Sequence, residues 1–171
     1  THYGVEDVKG EPGDKFLQWI GGYFETYWSV NPHWVADFKE LPEHPVTRGV
    51  EPFKTNDEWY YNMRFVEGMK GITPLLTAVP GPDTLTRPDG PHSGNPDVRA
   101  QAGHAHVVMW AYEQPNGGRG VGFTGGHYHM NLEDPNYRTI ALNALLWIAK
   151  VDVPPAGVRV STTPEELKER V

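Results

Sequence analysis

Two histidines follow a pair of glycines in the stretch Gly125-Gly126-His127-Tyr128-His129. Residues 119–124 before it have the composition of a short strand, and Asp134-Pro135 after it is a typical helix start. Glycines at the end of a strand allow a sharp turn and a close approach of the backbone to a ligand. Loops in this setting commonly carry the chemistry of α/β proteins. His127 is therefore a candidate residue of an active or metal site, and an exposed loop histidine is the alternative.

Bulk composition limits the chemistry open to this chain. It has 171 residues, no cysteine, and 22 acidic against 15 basic residues, for a net charge of −7. Without cysteine there is no disulfide or thiolate site, so histidine, aspartate and glutamate must supply any metal ligands. Dispersed basic residues argue against nucleic-acid binding. No apolar run approaches the roughly 20 residues needed to span a bilayer. We therefore expect neither nucleic acid nor membrane as a partner.

Hydrophobic periodicity predicts a mixture of strands and helices. The predicted strands are residues 34–38, 55–65, 72–79, 104–112 and 119–124, and the last two should pair as a hairpin. The clearest helix is predicted over residues 134–150. Its apolar stripe comprises Tyr137, Ile140, Ala141, Ala144, Leu145 and Ile148. Residues 80–103 have no periodicity and are predicted as a long loop, a kind of segment that is usually functional or mobile.

Five other histidines have plainer interpretations. His44 precedes a proline and is expected to be a turn residue whose imidazole bonds a backbone group. His104 and His106 fall on an apolar strand, where core hydrogen bonds are the expected role. His33 and His92 lie in predicted loops, and little in the sequence supports a site role for either.

Several motifs occur in an order that resembles one family. They are His44-Pro45-Val46-Thr47-Arg48-Gly49, Asp57-Glu58-Trp59-Tyr60, Gly125-Gly126-His127, Asp134-Pro135-Asn136-Tyr137-Arg138 and Leu146-Trp147-Ile148-Ala149. The chain resembles the trehalose-utilisation (ThuA-like) family over residues 1–153. This resemblance implies an α/β, flavodoxin-like fold of the class I glutamine-amidotransferase-like type, a sheet with flanking helices. It also implies that an N-terminal βαβ portion is missing before Thr1. Residues 154–171 would form a C-terminal tail with a short helix, for which Thr163 and Glu166 make a capping box.

The same resemblance implies a site made of His2, Glu58 and His127. His2 would lie at the strand-to-helix elbow where glutamine amidotransferases keep a cysteine, and because a thiol is absent we do not expect amidotransferase chemistry. The three side chains would serve as catalytic residues and as ligands of a divalent metal, with zinc the first choice. Their residue types alone also suit manganese, nickel or iron.

Four further residues are candidates for substrate binding. Tyr128 and His129 would border the site, although His129 also fits as a polar neighbour of the last helix. Trp28 and Tyr60 could offer flat faces to the C–H faces of a sugar, and filling a core or an interface is the alternative role for both.

The resemblance implies a carbohydrate-processing enzyme. The expected reaction is metal-assisted hydrolysis or isomerisation of a glycoside or keto-sugar. The alternative is a non-catalytic module that binds sugar or supports an assembly on an amidotransferase-like scaffold. The expected partner is a small-molecule carbohydrate, with a homo-oligomer left open, and the cytoplasm and the periplasm both remain open as compartments.

Overall fold

The computed structural model describes residues 6–7 and 14–168, which form helices and three small sheets. The helices are α1 (Asp14–Ile20), α2 (Pro96–Ala100), α3 (Pro135–Ile148) and α4 (Pro164–Leu167). The strands are β1 (Glu6–Asp7), β2 (Gly22–Glu25), β3 (Trp34–Phe38), β4 (Phe53–Asp57), β5 (Arg64–Phe65), β6 (Ile72–Ala78), β7 (His106–Glu113) and β8 (Arg119–Phe123). Within these described ranges no helix is both long and apolar enough to cross a bilayer. The predicted α/β class is confirmed.

The three sheets differ in size and direction. β2 pairs in parallel with β1 and antiparallel with β5, while β3 and β4 form a separate antiparallel pair. β6, β7 and β8 form an antiparallel sheet in that order, so the predicted hairpin between the last two is confirmed. A flavodoxin-like arrangement and a missing N-terminal portion stay predictions.

The aromatic strand predicted within residues 55–65 is wrong, because only residues 55–57 and 64–65 of that range lie in strands, β4 and β5. β4 ends at Asp57, and the chain then leaves the ladder. The Trp59 indole N–H turns back to donate to the Thr55 carbonyl at 3.2 Å. Asn62 has a φ of 57°, in the left-handed region, which a continuous strand does not allow. The aromatic residues of this segment fill the core: Trp59 and Tyr61 are both almost fully buried.

Residues 80–103, predicted as a long loop, contain local structure. A 3₁₀ turn spans Pro82–Thr86, and α2 begins after Asn95, whose side chain accepts a hydrogen bond from the Val98 N–H at 3.0 Å. Thr84 anchors the 3₁₀ turn to the core, because its Oγ1 lies 3.0 Å from the Tyr61 hydroxyl. The segment is therefore tied to the body of the protein at several points.

Helix α3 packs one face against the core, but its buried stripe differs from the prediction. Asp134 caps the helix by accepting hydrogen bonds from the N–H groups of Asn136 and Tyr137. The buried residues are Tyr137, Thr139, Ile140, Asn143, Ala144 and Trp147. Leu145 and Ile148, which were expected to face inward, are exposed. Trp147 fills that side of the helix instead, with its ring against His44.

Of the plainer histidine interpretations, one is confirmed, one is confirmed only in part and one is wrong. The His44 Nδ1 accepts a hydrogen bond from the Val46 N–H at 3.1 Å, as expected for a turn residue. His106 is buried on β7 as expected, but its ring forms no hydrogen bond with another described residue and instead packs 4.9 Å from the ring of Tyr61. His104 lies before β7 rather than in it, and its side chain is exposed.

Burial of His106 has a measurable consequence for stability. Burial, with a smaller effect from His104, lowers the pKa of His106 from 6.5 to about 4. The unfolded chain therefore binds a proton that the folded chain does not, and the free energy of unfolding should fall as the pH drops from about 6.5 to 4. The shift corresponds to a loss of up to about 3 kcal/mol. Urea unfolding curves across this range should show a much shallower fall for His106→Gln and only a slightly shallower fall for His104→Gln, which removes the smaller effect and leaves His106 buried. Equal slopes in all three proteins would contradict the prediction.

Candidate metal centre

The pairing of β3 with β4 sets the position of two candidate ligands. Trp34, the first residue of β3, lies opposite Asp57, the last residue of β4. His33 precedes the one strand and Glu58 follows the other, so both emerge at the same end of the two-stranded sheet. Residues 25 apart in sequence thus become neighbours through strand register alone.

The third member of the cluster is His127. The possible ligand atoms of His33, Glu58 and His127 all lie within 4.8 Å of one another. The His127 Nδ1 is 3.2 Å from the Glu58 Oε2, and the His33 Nε2 is 3.9 Å from the Glu58 Oε1. The Glu58 side chain is 12% exposed, whereas the two imidazoles are each 45% exposed. The cluster is therefore an accessible pair of imidazoles above a nearly buried carboxylate.

Neighbouring polar groups orient the Glu58 carboxylate and the His33 ring. The Asn31 amide donates to the Glu58 Oε1 at 3.0 Å, and the Tyr60 hydroxyl donates to the Glu58 Oε2 at 3.4 Å. The Tyr128 hydroxyl lies 2.8 Å from the His33 Nδ1. With Nδ1 engaged in this way, the Nε2 of His33 is the nitrogen that faces Glu58.

A buried carboxylate, Asp57, holds the loop that carries His127. Its side-chain oxygens accept hydrogen bonds from the backbone N–H groups of Gly126 and His127 at 2.9 and 3.0 Å. Gly126 has a φ of 102°, a backbone conformation that residues other than glycine rarely adopt. At position 125, a Cβ would lie 2.6 Å from the Trp59 ring, so the loop also needs glycine there to approach the core.

Three more donors complete the surroundings of Asp57. They are the Tyr137 hydroxyl at 2.7 Å, the Asn131 amide at 2.9 Å and the Glu58 N–H at 2.8 Å. Burial alone would raise the pKa of Asp57, but the hydrogen bonds from Gly126, Tyr137, Glu58 and Asn131 outweigh it and lower that pKa below its ordinary value. The pKa of Tyr137 is raised, first by burial and then by its bond to this carboxylate. Asp57 is therefore a charged group that is fully satisfied by donors.

The donor set suits a divalent transition metal. Two imidazole nitrogens and one carboxylate oxygen are ligands that zinc accepts, and three protein ligands leave a position for water or substrate. Bonds of about 2.0–2.2 Å place the ligands of a tetrahedral zinc roughly 3.3 Å apart. The imidazole nitrogens lie 3.2 and 3.9 Å from different oxygens of Glu58, and all the possible ligand atoms lie within 4.8 Å of one another, so small side-chain movements would bring the set to that geometry. The contact between Tyr128 and His33 also matches the outer hydrogen bond that commonly orients a metal-binding histidine.

The residues expected to form the site are only partly brought together. Glu58 and His127 are neighbours, and Tyr60 and Tyr128 contact members of the cluster. His129 is directed away, because its Nδ1 bonds the Leu167 carbonyl of α4 at 2.9 Å. Trp28 has one face covered by the Arg64 guanidinium, which lies 3.5 Å from the ring centroid. His2 lies outside the described residues, so its place in the site stays a prediction.

Two residues of this site were missed by reasoning from the sequence. His33 was given little weight because it stands in a loop with no other ligand at a short spacing. Asp57 was not singled out, although it precedes Glu58 directly. Both segments, residues 34–38 and 53–57, have an alternating pattern. Pairing them as neighbouring antiparallel strands would have placed His33 beside Glu58 and identified it as a candidate ligand.

A polar cleft of about 400 Å³ opens beside the cluster. Its lining residues are Asn31, Pro32, His33, Glu58, Asp83, Thr84 and Arg87. Two members of the cluster, His33 and Glu58, line this cleft together with residues of the 3₁₀ turn that follows β6. The cleft gives a small polar molecule direct access to two of the possible metal ligands, His33 and Glu58.

Comparison with known proteins agrees with this arrangement of motifs. Searches of curated protein sequences and of solved structures gave no match. A family model described as "ThuA: Trehalose utilisation" matches residues 1–148. Because the match spans most of the 171 residues and includes Glu58 and His127, the chain belongs to the trehalose-utilisation (ThuA) family.

Proposed function

We propose that this protein is a metal-dependent, carbohydrate-processing enzyme whose ligands are His33, Glu58 and His127. Membership of the trehalose-utilisation family indicates a role in carbohydrate utilisation. The observation that carries the finer proposal is the convergence of two imidazoles and one carboxylate within 4.8 Å beside an open polar cleft. The proposed reaction is hydrolysis or isomerisation of a glycoside or of its keto derivative.

The protein side chains have separate tasks in this proposal. A bound divalent metal would polarise a carbonyl or hydroxyl of the sugar and activate water. Asn31 and Tyr60 fix the two oxygens of Glu58, which keeps the carboxylate turned toward the imidazoles. Tyr128 orients His33 in the same way, and Asp57 fixes the backbone of His127. Hydrogen bonds within the protein therefore orient the proposed ligands before a metal or substrate binds.

Proton transfer is the second chemical task. A carboxylate that gives one oxygen to a metal keeps its other oxygen as a base, so Glu58 could transfer protons while it remains a ligand. A carboxylate in this position can take a proton from a carbon beside a ketone and return it to a neighbouring atom, which is isomerisation. It can equally remove a proton from an attacking water, which is hydrolysis.

Chelation followed by metal replacement tests the proposal. Protein treated with EDTA should lose turnover of a disaccharide or of its 3-keto derivative, and stoichiometric zinc should restore it. His127→Ala should have at most about 1% of the wild-type rate, because it removes one of the three proposed metal ligands. The exposed control His104→Ala should retain the rate.

Two outcomes would contradict the enzymatic proposal. One is turnover that is unchanged after chelation and in His127→Ala. The other is saccharide binding that survives chelation, with no turnover of either substrate, which would favour the non-catalytic sugar-binding module instead.

A further inference from the structure

A cationic side chain faces the same polar cleft as the metal ligands. Arg87 follows the 3₁₀ turn Pro82–Thr86 and lines the cleft together with His33 and Glu58. It is only partly exposed, so it is a component of the cleft wall. None of the assigned roles in metal binding or proton transfer uses this residue.

The guanidinium has few partners inside the protein. Its Nη1 and Nη2 atoms each lie 3.5 Å from the Asn31 Oδ1, the outer limit of a hydrogen bond to a neutral acceptor. Two carboxylates, Glu58 and Asp83, line the same cleft. Within the described ranges, however, neither they nor any other carboxylate forms an ion pair with Arg87 within 4.0 Å. The N–H donors of the Arg87 guanidinium are therefore available to a ligand in the cleft.

Asn31 connects Arg87 to the metal ligands. Its amide nitrogen donates to the Glu58 Oε1 while its amide oxygen accepts from Arg87. The cation and the possible metal position are thus separated by one amide side chain. A ligand small enough for a cleft of about 400 Å³ can contact both.

The position of Arg87 is fixed by its surroundings. Thr84 of the preceding turn is buried, and its Oγ1 donates to the Gly81 carbonyl at 2.7 Å. After Arg87, the Gly94 N–H donates to the Pro88 carbonyl at 2.9 Å, which closes the following loop. The Asn31 N–H also bonds the His92 carbonyl of that loop. Because both flanks are tied down, the backbone from which the Arg87 side chain reaches the cleft is held in place.

We infer that the substrate is an anionic sugar, whose carboxylate or phosphoryl group binds Arg87 while its reacting carbon lies at the His33–Glu58–His127 cluster. Guanidinium groups bind such oxyanions through paired, charge-assisted hydrogen bonds. A neutral hydroxyl would gain much less from an arginine that has no carboxylate within 4.0 Å of it among the described residues. This inference rests on the proposed function, since it names the substrate class of the same site.

Binding of three matched sugars tests the inference. Calorimetric titrations of the zinc-loaded protein would use glucose, glucuronate and glucose 6-phosphate, which differ in the group at one carbon. Glucuronate or glucose 6-phosphate, or both, should bind 10-fold or more tightly than glucose. Tighter binding of glucuronate would indicate a carboxylate ligand, and tighter binding of glucose 6-phosphate a phosphoryl ligand. In Arg87→Gln this preference should fall to threefold or less, while zinc affinity stays unchanged. Arg87→Lys should keep part of the preference, because lysine retains the positive charge but lacks the paired N–H donors of the guanidinium.

The Arg99→Gln variant serves as the control for the loss of a positive charge. Arg99→Gln removes an exposed arginine that is ion-paired with Asp89, and it should leave the preference intact. The inference is overturned if the three sugars bind equally or none binds, or if the preference persists in Arg87→Gln. Chelator-sensitive turnover of neutral saccharides together with any of these results would leave the proposed function in place and reject only the anionic substrate.

Discussion

Glu58→Gln is expected to lower zinc affinity by more than about 100-fold. The substitution keeps the size of the side chain but removes the negative charge and leaves a weaker amide oxygen as the ligand. Even the loss of an outer hydrogen-bond partner costs a metal site about 10- to 100-fold in affinity, so the loss of a charged ligand should cost more. Titration of metal-free protein with zinc in a calorimeter measures the change. Glu43→Gln, at an exposed position, is the control and should leave affinity unchanged.

The histidine at position 33 provides an independent test of the same site. His33→Ala should also weaken zinc binding by at least about 100-fold, since it removes one of three protein ligands. Tyr128→Phe, which removes only the hydroxyl beside His33, should have a smaller effect. Wild-type zinc affinity in both Glu58→Gln and His33→Ala would show that the cluster is not a metal site.

Asp57→Ala is expected to lower the free energy of unfolding by about 3–5 kcal/mol. The change leaves five donors without their acceptor, two of them the backbone N–H groups that define the loop at Gly126 and His127. Breaking a buried, hydrogen-bonded charge usually costs this much, because the remaining polar groups stay desolvated. Urea unfolding at pH 7 measures the loss. Tyr137→Phe removes a single donor from the same group and should cost only about 1–2 kcal/mol.

The lowered pKa of Asp57 adds a pH dependence to this prediction. The charged form is favoured in the folded state, so its contribution is present above the ordinary aspartate pKa and is lost as the pH falls through the folded value. Asp57→Asn should therefore be destabilised at pH 7 and should lose less stability on acidification than the wild-type protein does. A variant within about 0.5 kcal/mol of wild type at neutral pH would contradict the role assigned to this carboxylate.

Much of the local structure could be predicted from residue patterns. The alternation at residues 34–38, the apolar run before Tyr112 and the capping residues Asp134 and Thr163 all indicated elements that the structure contains. These features depend on neighbours in sequence. The end of β4 at Asp57 was not foreseen, because it depends on donors from residues 126–137 that are distant along the chain.

The site was less predictable for the same reason. Glu58 and His127 were identified through resemblance to a family, whereas His33 required the pairing of β3 with β4. Its sequence neighbours, Pro32 and Trp34, gave no sign of chemistry. The inner face of α3 shows a related limit: Trp147, which the apolar stripe omitted, is buried, and Leu145, which it included, is exposed. Which side of a helix faces inward was decided by partners that periodicity alone does not identify.

The way in which Asp57 holds the loop has a consequence for redesign of the site. Its oxygens bind the main-chain N–H groups of Gly126 and His127 and make no bond to the imidazole. The path of the loop is therefore independent of the side chain at position 127. An aspartate or a cysteine could replace this histidine on the same backbone and exchange a nitrogen ligand for oxygen or sulfur. Metal selectivity, which follows ligand softness and geometry, could thus be changed at one position without rebuilding the scaffold.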